Sequence, residues 1–408
     1  MKNIVAKTLV MFIIFYGVIN CDSFSMHVNY LDYHIDLPAN SDTIKENVKK
    51  LQAFNSRFCF NDNRKDVALY LKNRLENYGF SVKIDSFYIE NLNIEWYKIV
   101  DLSGWQYNVI GEKTGLITPN HTVILGAHYD CIASKGDNVQ DTNENNPYWN
   151  YSPGADDNAS GVSGALEVAR MFYENGINTD RTLRIEFYAA EEMGLLGSKN
   201  IVEKLDSNEI SNIKAMINLD MIGYDTTTFA DTVSIVTYND AAFAYRNFVY
   251  SLADSAGLVA FFTDKHYNAS DSYSYSLVQI PAFFISEHDF TPDYHSPNDV
   301  FTTLNYDYMS KITDFTYKML YYLLGTTDNP VSITDIYNEN LLNNDVIARV
   351  FDLTGRCLYE KRVGNNLISL DNEKKLPINI DELSVKRGVY ILQIEGNNRK
   401  ISRKIVKI

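Results

Sequence analysis

Thr122-Val-Ile-Leu-Gly-Ala-His-Tyr-Asp130 decides the fold. The uncharged run Thr122–Ala127 leads straight into a histidine and, two residues on, an aspartate. A short apolar run bounded by polar residues reads as a strand buried on both faces. Working outward, four further runs have the same character: Leu183–Ala190, Ile213–Leu219, Thr232–Thr237 and Val278–Ile285. Helical spacing appears in Gly161–Glu174, Leu195–Leu205, Ala241–Ala256 and Tyr306–Leu324. Continuous apolar strands alternating with helices predict an α/β fold, a mostly parallel central sheet with helices on both faces. Upstream, apolar residues recur at helical spacing from Thr43 to Tyr78, Gly79 stops the helix, and Ser81–Tyr88 alternates like a strand. Residues 132–152 form a polar loop rich in Asn and Asp. Loops of that length are usually functional or mobile.

The chain has 408 residues, 45% hydrophobic, with 37 Lys+Arg against 52 Asp+Glu and a net charge of -15. This composition excludes a disordered chain, a collagen-like fibre and a disulfide-dense miniprotein. The acidic balance argues against a surface that condenses on nucleic acid or anionic lipid. Residues 331–408 are nevertheless net basic, which marks a domain boundary near Pro330. Beyond it come short alternating segments, Val346–Asp352, Cys357–Val363, Gly388–Glu395 and Lys400–Ile408, with turn residues at Asp352–Gly355 and Gly396–Asn398. Residues 334–408 therefore read as a small all-β domain after a larger domain spanning 25–326.

Lys2 and Lys7 precede an apolar run from Leu9 to Ile19, too short to cross a hydrocarbon core of ~30 Å. That pattern reads as a secretory signal peptide over residues 1–22. Cys21 is a candidate lipidation site, although Asn20 before it fits that signal poorly. No later segment approaches spanning length, so no transmembrane anchor is expected. Cys59 and Cys131 either pair in an oxidising compartment or remain buried thiols. The cysteine spacing fits no Cys-based zinc site.

The chemistry gathers at strand ends. His128 ends the first apolar strand, Glu191-Glu192 the second and Asp220 the third. Asp156-Asp157 lies between the first two, in Pro153–Gly161, and His295 follows the fifth in Asp293-Tyr-His-Ser-Pro297. In open α/β sheets ligands bind beyond the carboxyl ends of the strands, so these side chains converge. Taken singly, Asp156-Asp157 reads as a helix cap, Glu191-Glu192 as a solvated helix start, and each histidine as a hydrogen-bonded one. Taken together, carboxylates crowded at a buried edge repel one another unless a cation compensates them. Imidazole and carboxylate together suit zinc, and one carboxylate can bridge two ions.

On these residues the chain resembles the co-catalytic zinc exopeptidases typified by secreted bacterial aminopeptidases. The matching stretches are Gly126–Asp130, Pro153–Gly161, Tyr188–Gly194, Asn218–Met221 and Asp293–Asp299, over roughly residues 40–325. The resemblance implies two zinc ions per chain, held by His128, Asp157, Glu192, Asp220 and His295, with Asp157 bridging. One ion would take His128 and Asp220, the other Glu192 and His295. Glu191 matches the family's general base for a metal-bridged hydroxide, and Asp130 would orient the His128 ring. Tyr294 resembles a tyrosine that stabilises the oxyanion in some relatives, and Ser270-Asp271 stands where relatives carry a supporting Ser-Asp. The substrates implied are peptides with a free N-terminus. Rival readings are a glutaminyl cyclase of the same fold, a zinc carboxypeptidase and a non-catalytic surface binding module. The tail resembles the C-terminal sorting domain of type IX secretion substrates, on Arg349–Arg356, Arg387–Leu392 and Arg403–Lys407. That likeness implies a partner in the secretion machinery and a secreted or surface location.

Overall fold

Val123, Leu125 and Ala127 pack into one apolar cluster while Ile124 between them packs into another. Alternate residues of a strand point to opposite faces, so burial of both sets requires cover on both sides. The computed structural model describes residues 37–94, 99–133 and 151–325, together with segments 346–351, 357–363, 388–396 and 399–407. The expected signal segment 1–22 with Cys21, positions 134–150 of the polar loop, and the turns at 352–355 and 397–398 lie outside the described residues.

The described residues open with helices α1 (Ser41–Gln52) and α2 (Arg64–Asn77), where helical spacing had suggested one continuous stretch. The break has a polar cause. Asn55 adopts φ 64°, a conformation Asn tolerates, and Asn63 Nδ2 donates to Phe54 O and Ser56 O at 3.0 Å each. Next come β1 (Ser81–Ile94) and β2 (Ile99–Lys113), an antiparallel ribbon. Strand β1 runs past the expected end at Tyr88, and β2 had left no apolar signature. Its buried positions include Gln106 and Asn108; their amides bond to Cys59 O at 2.8 Å and Gly197 O at 3.1 Å.

There follow β3 (Thr118–His128), α3 (Gly161–Glu174), β4 (Arg181–Tyr188), α4 (Leu196–Glu203), α5 (Ser207–Asn212), β5 (Ile213–Leu219), β6 (Thr232–Thr237), α6 (Asp240–Phe243), α7 (Arg246–Ser255), β7 (Val259–Phe262), α8 (Ser272–Leu277), β8 (Ala282–Glu287) and α9 (Tyr306–Leu324). The last strand starts later than the apolar run did, because α8 ends on Val278 and Pro281 precedes β8. Strand β7 has only four residues, too short for an apolar-run reading.

The eight strands are ordered β1-β2-β4-β3-β5-β8-β6-β7. The central four, β4, β3, β5 and β8, are mutually parallel, as expected. At one edge β2 joins β4 antiparallel, and at the other β6 joins β8 antiparallel. Helices α1, α2, α3, α7 and α9 bury Ile44, Leu71, Leu166, Leu252 and Phe315 on one face. On the other, α4 and α8 contribute Ile201, Val202 and Tyr275 against Ile124 and Met216. Each such large apolar side chain contributes about 1.5–3 kcal/mol on burial. Strand β3 lies between β4 and β5: the chain leaves β3 to one side and returns on the other. The resulting crevice, beyond the carboxyl ends, is where such sheets bind ligands.

The tail forms its own sheet of β9 (Val346–Phe351), β10 (Cys357–Val363), β11 (Gly388–Gly396) and β12 (Arg399–Lys407). Its order is β10-β9-β11-β12 with every pair antiparallel, the all-β character expected there. Among the described residues no helix is long and apolar enough to cross a membrane.

Candidate metal centre

His128, the last residue of β3, is fully walled in by the sheet. Its Nε2 lies 3.2 Å from Asp157 Oδ1 and 3.2 Å from Asp220 Oδ1. The other Asp157 oxygen, Oδ2, lies 3.0 Å from His295 Nε2, which is itself 2.9 Å from Glu192 Oε2. One carboxylate therefore faces two imidazoles. The residues fall into two groups able to hold an ion, His128–Asp157–Asp220 and Asp157–Glu192–His295, joined through Asp157. The structure brings together the five residues that the resemblance named.

Each side chain is set by its own loop. Asp157 sits in the wide turn Ala155–Ser160, where it and Asn158 leave helical geometry. The backbone N–H groups of Asp156 and Asp157 donate to Asp299 Oδ1 and Oδ2 at 2.7 and 3.1 Å. Asn158 spans the turn to β5, donating to Leu219 O at 2.9 Å and accepting from Met221 N at 3.2 Å. Gly161 closes the turn against β5, because a Cβ there would meet Leu219 O at 2.4 Å. Ser270 donates to Asp220 Oδ2 at 2.6 Å and accepts from Asn218 Nδ2 at 2.6 Å, fixing the rotamer of Asp220.

Asp130 does more than expected. It meets His128 Nδ1 through its backbone carbonyl at 3.2 Å, with a carboxylate oxygen at 3.6 Å. The carboxylate also accepts from the backbone of Glu191 at 3.0 Å and of Glu192 at 3.3 Å. Glu191 belongs to neither three-residue group, yet its Oε2 lies 3.9 Å from His128 Nε2. Tyr294 stacks on His295 with ring centroids 3.7 Å apart, and Phe290 meets the Tyr294 ring edge-on at 5.0 Å. Phe290 also lines a cavity of about 250 Å³ walled by Phe261, His266, Phe284 and His288.

The electrostatics show what the cluster lacks. Burial raises the Glu192 carboxyl to about 7, although His295 opposes it. Burial works against charge on His295 too, but Glu192 and Asp157 outweigh it and lift the imidazole to about 10. His128 likewise rises, burial notwithstanding, under Asp220 and Glu191. Burial opposes ionisation of Asp157, yet hydrogen bonds from both histidines hold it below the usual carboxylate range. Carboxylates crowded around two buried imidazoles favour positive charge among them, which a divalent cation would supply. Among the described residues, Glu192 Oε1 is buried without a hydrogen-bond partner. A set of two imidazoles and three carboxylates, one shared, fits zinc.

Asp299 had been only the end of a motif, and Arg57 had no signal at all. Asp299 was readable in part, as an acid four residues after His295. Asp271 is fully buried, and burial raises it to about 7. Glu287, the last residue of β8, accepts from Tyr224 N at 2.7 Å and Thr291 N at 3.0 Å, shaping the loop toward His295. Phe283 is core, whereas Phe284 lines the cavity.

Fold and site thus define a class: an α/β metallohydrolase with its acid–imidazole cluster at the sheet's switch point. Residues 108–320 match peptidase family M28, and residues 329–408 match the secretion system C-terminal sorting domain. The chain belongs to peptidase family M28. The enzyme class expected from the sequence, a metallo-aminopeptidase, stands with that membership. The chain is 29% identical over 279 residues to a probable aminopeptidase of Saccharomyces cerevisiae, covering 66% of this chain and 70% of that protein. It is 32% identical over 211 residues to a probable leucine aminopeptidase of Trichophyton verrucosum, covering 50% of this chain and 52% of that protein. The fold superposes on a zinc aminopeptidase from Bacillus subtilis with TM-score 0.59 at 16% identity, covering 71% of this chain and 96% of that one.

Proposed function

We propose that this chain is a secreted aminopeptidase that binds two zinc ions and removes residues from the free N-terminus of peptides. The observation that carries this reading is Asp157, with one oxygen facing His128 and the other facing His295. His128 and Asp220 would hold one ion, Glu192 and His295 the other, with Asp157 shared. Bound zinc would supply Lewis acidity to the attacking water and the scissile carbonyl.

The chain's own groups supply the rest. Glu191 takes the proton of the attacking water and returns it to the leaving amine. Its place beside the cluster is held by the Asp130 carboxylate, which grips the Glu191 and Glu192 backbone together. Tyr294, held against His295, is the side chain to assist the developing oxyanion. The cavity lined by Phe290, which packs against Tyr294, would receive the side chain of the N-terminal residue. An intact set of five ligands plus Glu191 favours this reading over a one-zinc glutaminyl cyclase, a carboxypeptidase or a binding module. For the chain as a whole, residues 1–22 act as signal peptide, 25–326 as catalytic domain and 334–408 as sorting domain that engages the secretion machinery. The match of residues 329–408 supports export.

The test is zinc content and activity measured together, on aminoacyl anilides with Gln-anilide included. About two zinc ions per chain, with chelator-sensitive release of N-terminal residues, is expected. One zinc with cyclised Gln products would overturn the reading in favour of a cyclase.

A further inference from the structure

Arg57 lies upstream of the family-matched span, in the link between α1 and α2, and is only 1% exposed. Among the described residues it forms no ion pair with a carboxylate. Its guanidinium instead donates to three backbone carbonyls: Nε to Tyr129 O at 2.8 Å, Nη1 to Pro153 O at 2.8 Å and Nη2 to Gly154 O at 2.6 Å. Its own backbone N–H points at Cys131 Sγ, 3.3 Å away. The neighbouring backbone follows suit, with Ser152 N donating to Asn55 O at 3.2 Å and Ser56 bridged to Ser152.

These carbonyls are not a random set. Tyr129 directly follows His128, and Pro153-Gly154 leads into the turn that carries Asp157. A single side chain therefore ties together the two loops whose functional atoms, His128 Nε2 and Asp157 Oδ1, stand 3.2 Å apart. Gly154 is shut down onto this clamp: at φ +51°, a Cβ there would meet Cys131 Cβ at 2.4 Å and Arg57 Nη2 at 2.8 Å. Burying a guanidinium without a carboxylate partner is unfavourable, and an apolar side chain would fill the space without that loss. Only a rigid planar fork reaches three carbonyls on two separate loops.

We propose that Arg57 is a positioning residue for the metal centre, setting the spacing of His128 and Asp157 by clamping the loops that carry them. The proposal rests on the two-zinc reading above.

The experiment compares full-length, zinc-loaded protein with Arg57→Met, Arg57→Lys and a control, Leu252→Ala. Leu252 is buried in α7, which packs on α9 and β7. The readouts are zinc release to a chelating dye, the visible spectrum of the cobalt-substituted protein, and kcat and KM separately. Arg57→Met should release zinc about tenfold faster and lose about tenfold in kcat with little change in KM, as expected for groups that orient metal ligands. Its cobalt spectrum should change. Leu252→Ala should lower Tm yet keep zinc release, spectrum and kcat. Arg57→Lys keeps the charge but not the fork, so it should resemble Arg57→Met; if Arg57→Met does not fold, Arg57→Lys carries the comparison. Should the Arg57 variants match Leu252→Ala at an equal loss of Tm, the positioning role is overturned. A wild-type protein that retains no zinc would instead overturn the two-metal reading itself.

Discussion

Replacing Glu191 by Gln is the sharpest test of the chemistry. Glu191 is 8% exposed, and its backbone N–H is held by Asp130 Oδ1 at 3.0 Å whatever the side chain is. Glutamine has nearly the same volume, so neither the loop nor Glu192 beside it has reason to move. Glu191 stands outside both ligand groups, so zinc content should be unchanged. What disappears is the ability to carry a proton from water to the leaving amine. General acid–base groups are worth about 10²–10⁴ in rate, or roughly 3–5 kcal/mol at the barrier. We expect kcat on an aminoacyl anilide to fall by that factor with KM nearly constant. The assay is steady-state kinetics on protein whose zinc has been counted by mass spectrometry. A variant retaining more than about a tenth of wild-type kcat would refute the proton-transfer role. Loss of zinc in step with activity would make Glu191 a ligand instead.

Three further outcomes are expected. Ser270→Ala removes the donor 2.6 Å from Asp220 Oδ2; competition with a chelator should show zinc affinity reduced about 10-fold or more. Stripping zinc should lower Tm, reversibly on adding the metal back, because the ions bind the folded state only; calorimetry showing equal Tm with and without metal would refute this. Glu186 is fully buried, and burial raises its pKa, with Arg184 and the hydroxyls of Tyr275 and Tyr188 opposing. A folded pKa above the unfolded value means stability present below the unfolded pKa and lost as pH rises through the folded one. Glu186→Gln should therefore flatten the fall in stability seen in denaturant titrations as pH rises from about 4.5.

The parallel centre of the sheet was legible because strands buried on both faces leave strongly apolar runs, as in Val123–Ala127 and Ala215–Ile217. His128, Glu191-Glu192 and Asp220 could be singled out because they stand where such runs end, whereas Asp157 and His295 lie in loops and were singled out by the family resemblance. Strand β2 was hidden because Gln106 and Asn108 are buried through long-range bonds to Cys59 and Gly197, which no local pattern encodes. Arg57 was hidden likewise: its partners are carbonyls at Tyr129, Pro153 and Gly154, and a carbonyl looks the same in every residue. The reversed direction of β6 was also beyond reach, because an apolar run carries no sign of direction.

The ligand groups come from distant parts of the chain, His128 and Asp220 being 92 residues apart. No short stretch of the unfolded polypeptide holds enough donors to capture zinc by itself. Acquisition of the metal must then be a late event, after the sheet has closed and brought β3, β4, β5 and the loop after β8 to one edge. Under the export proposed above, zinc would be taken up wherever the sheet closes.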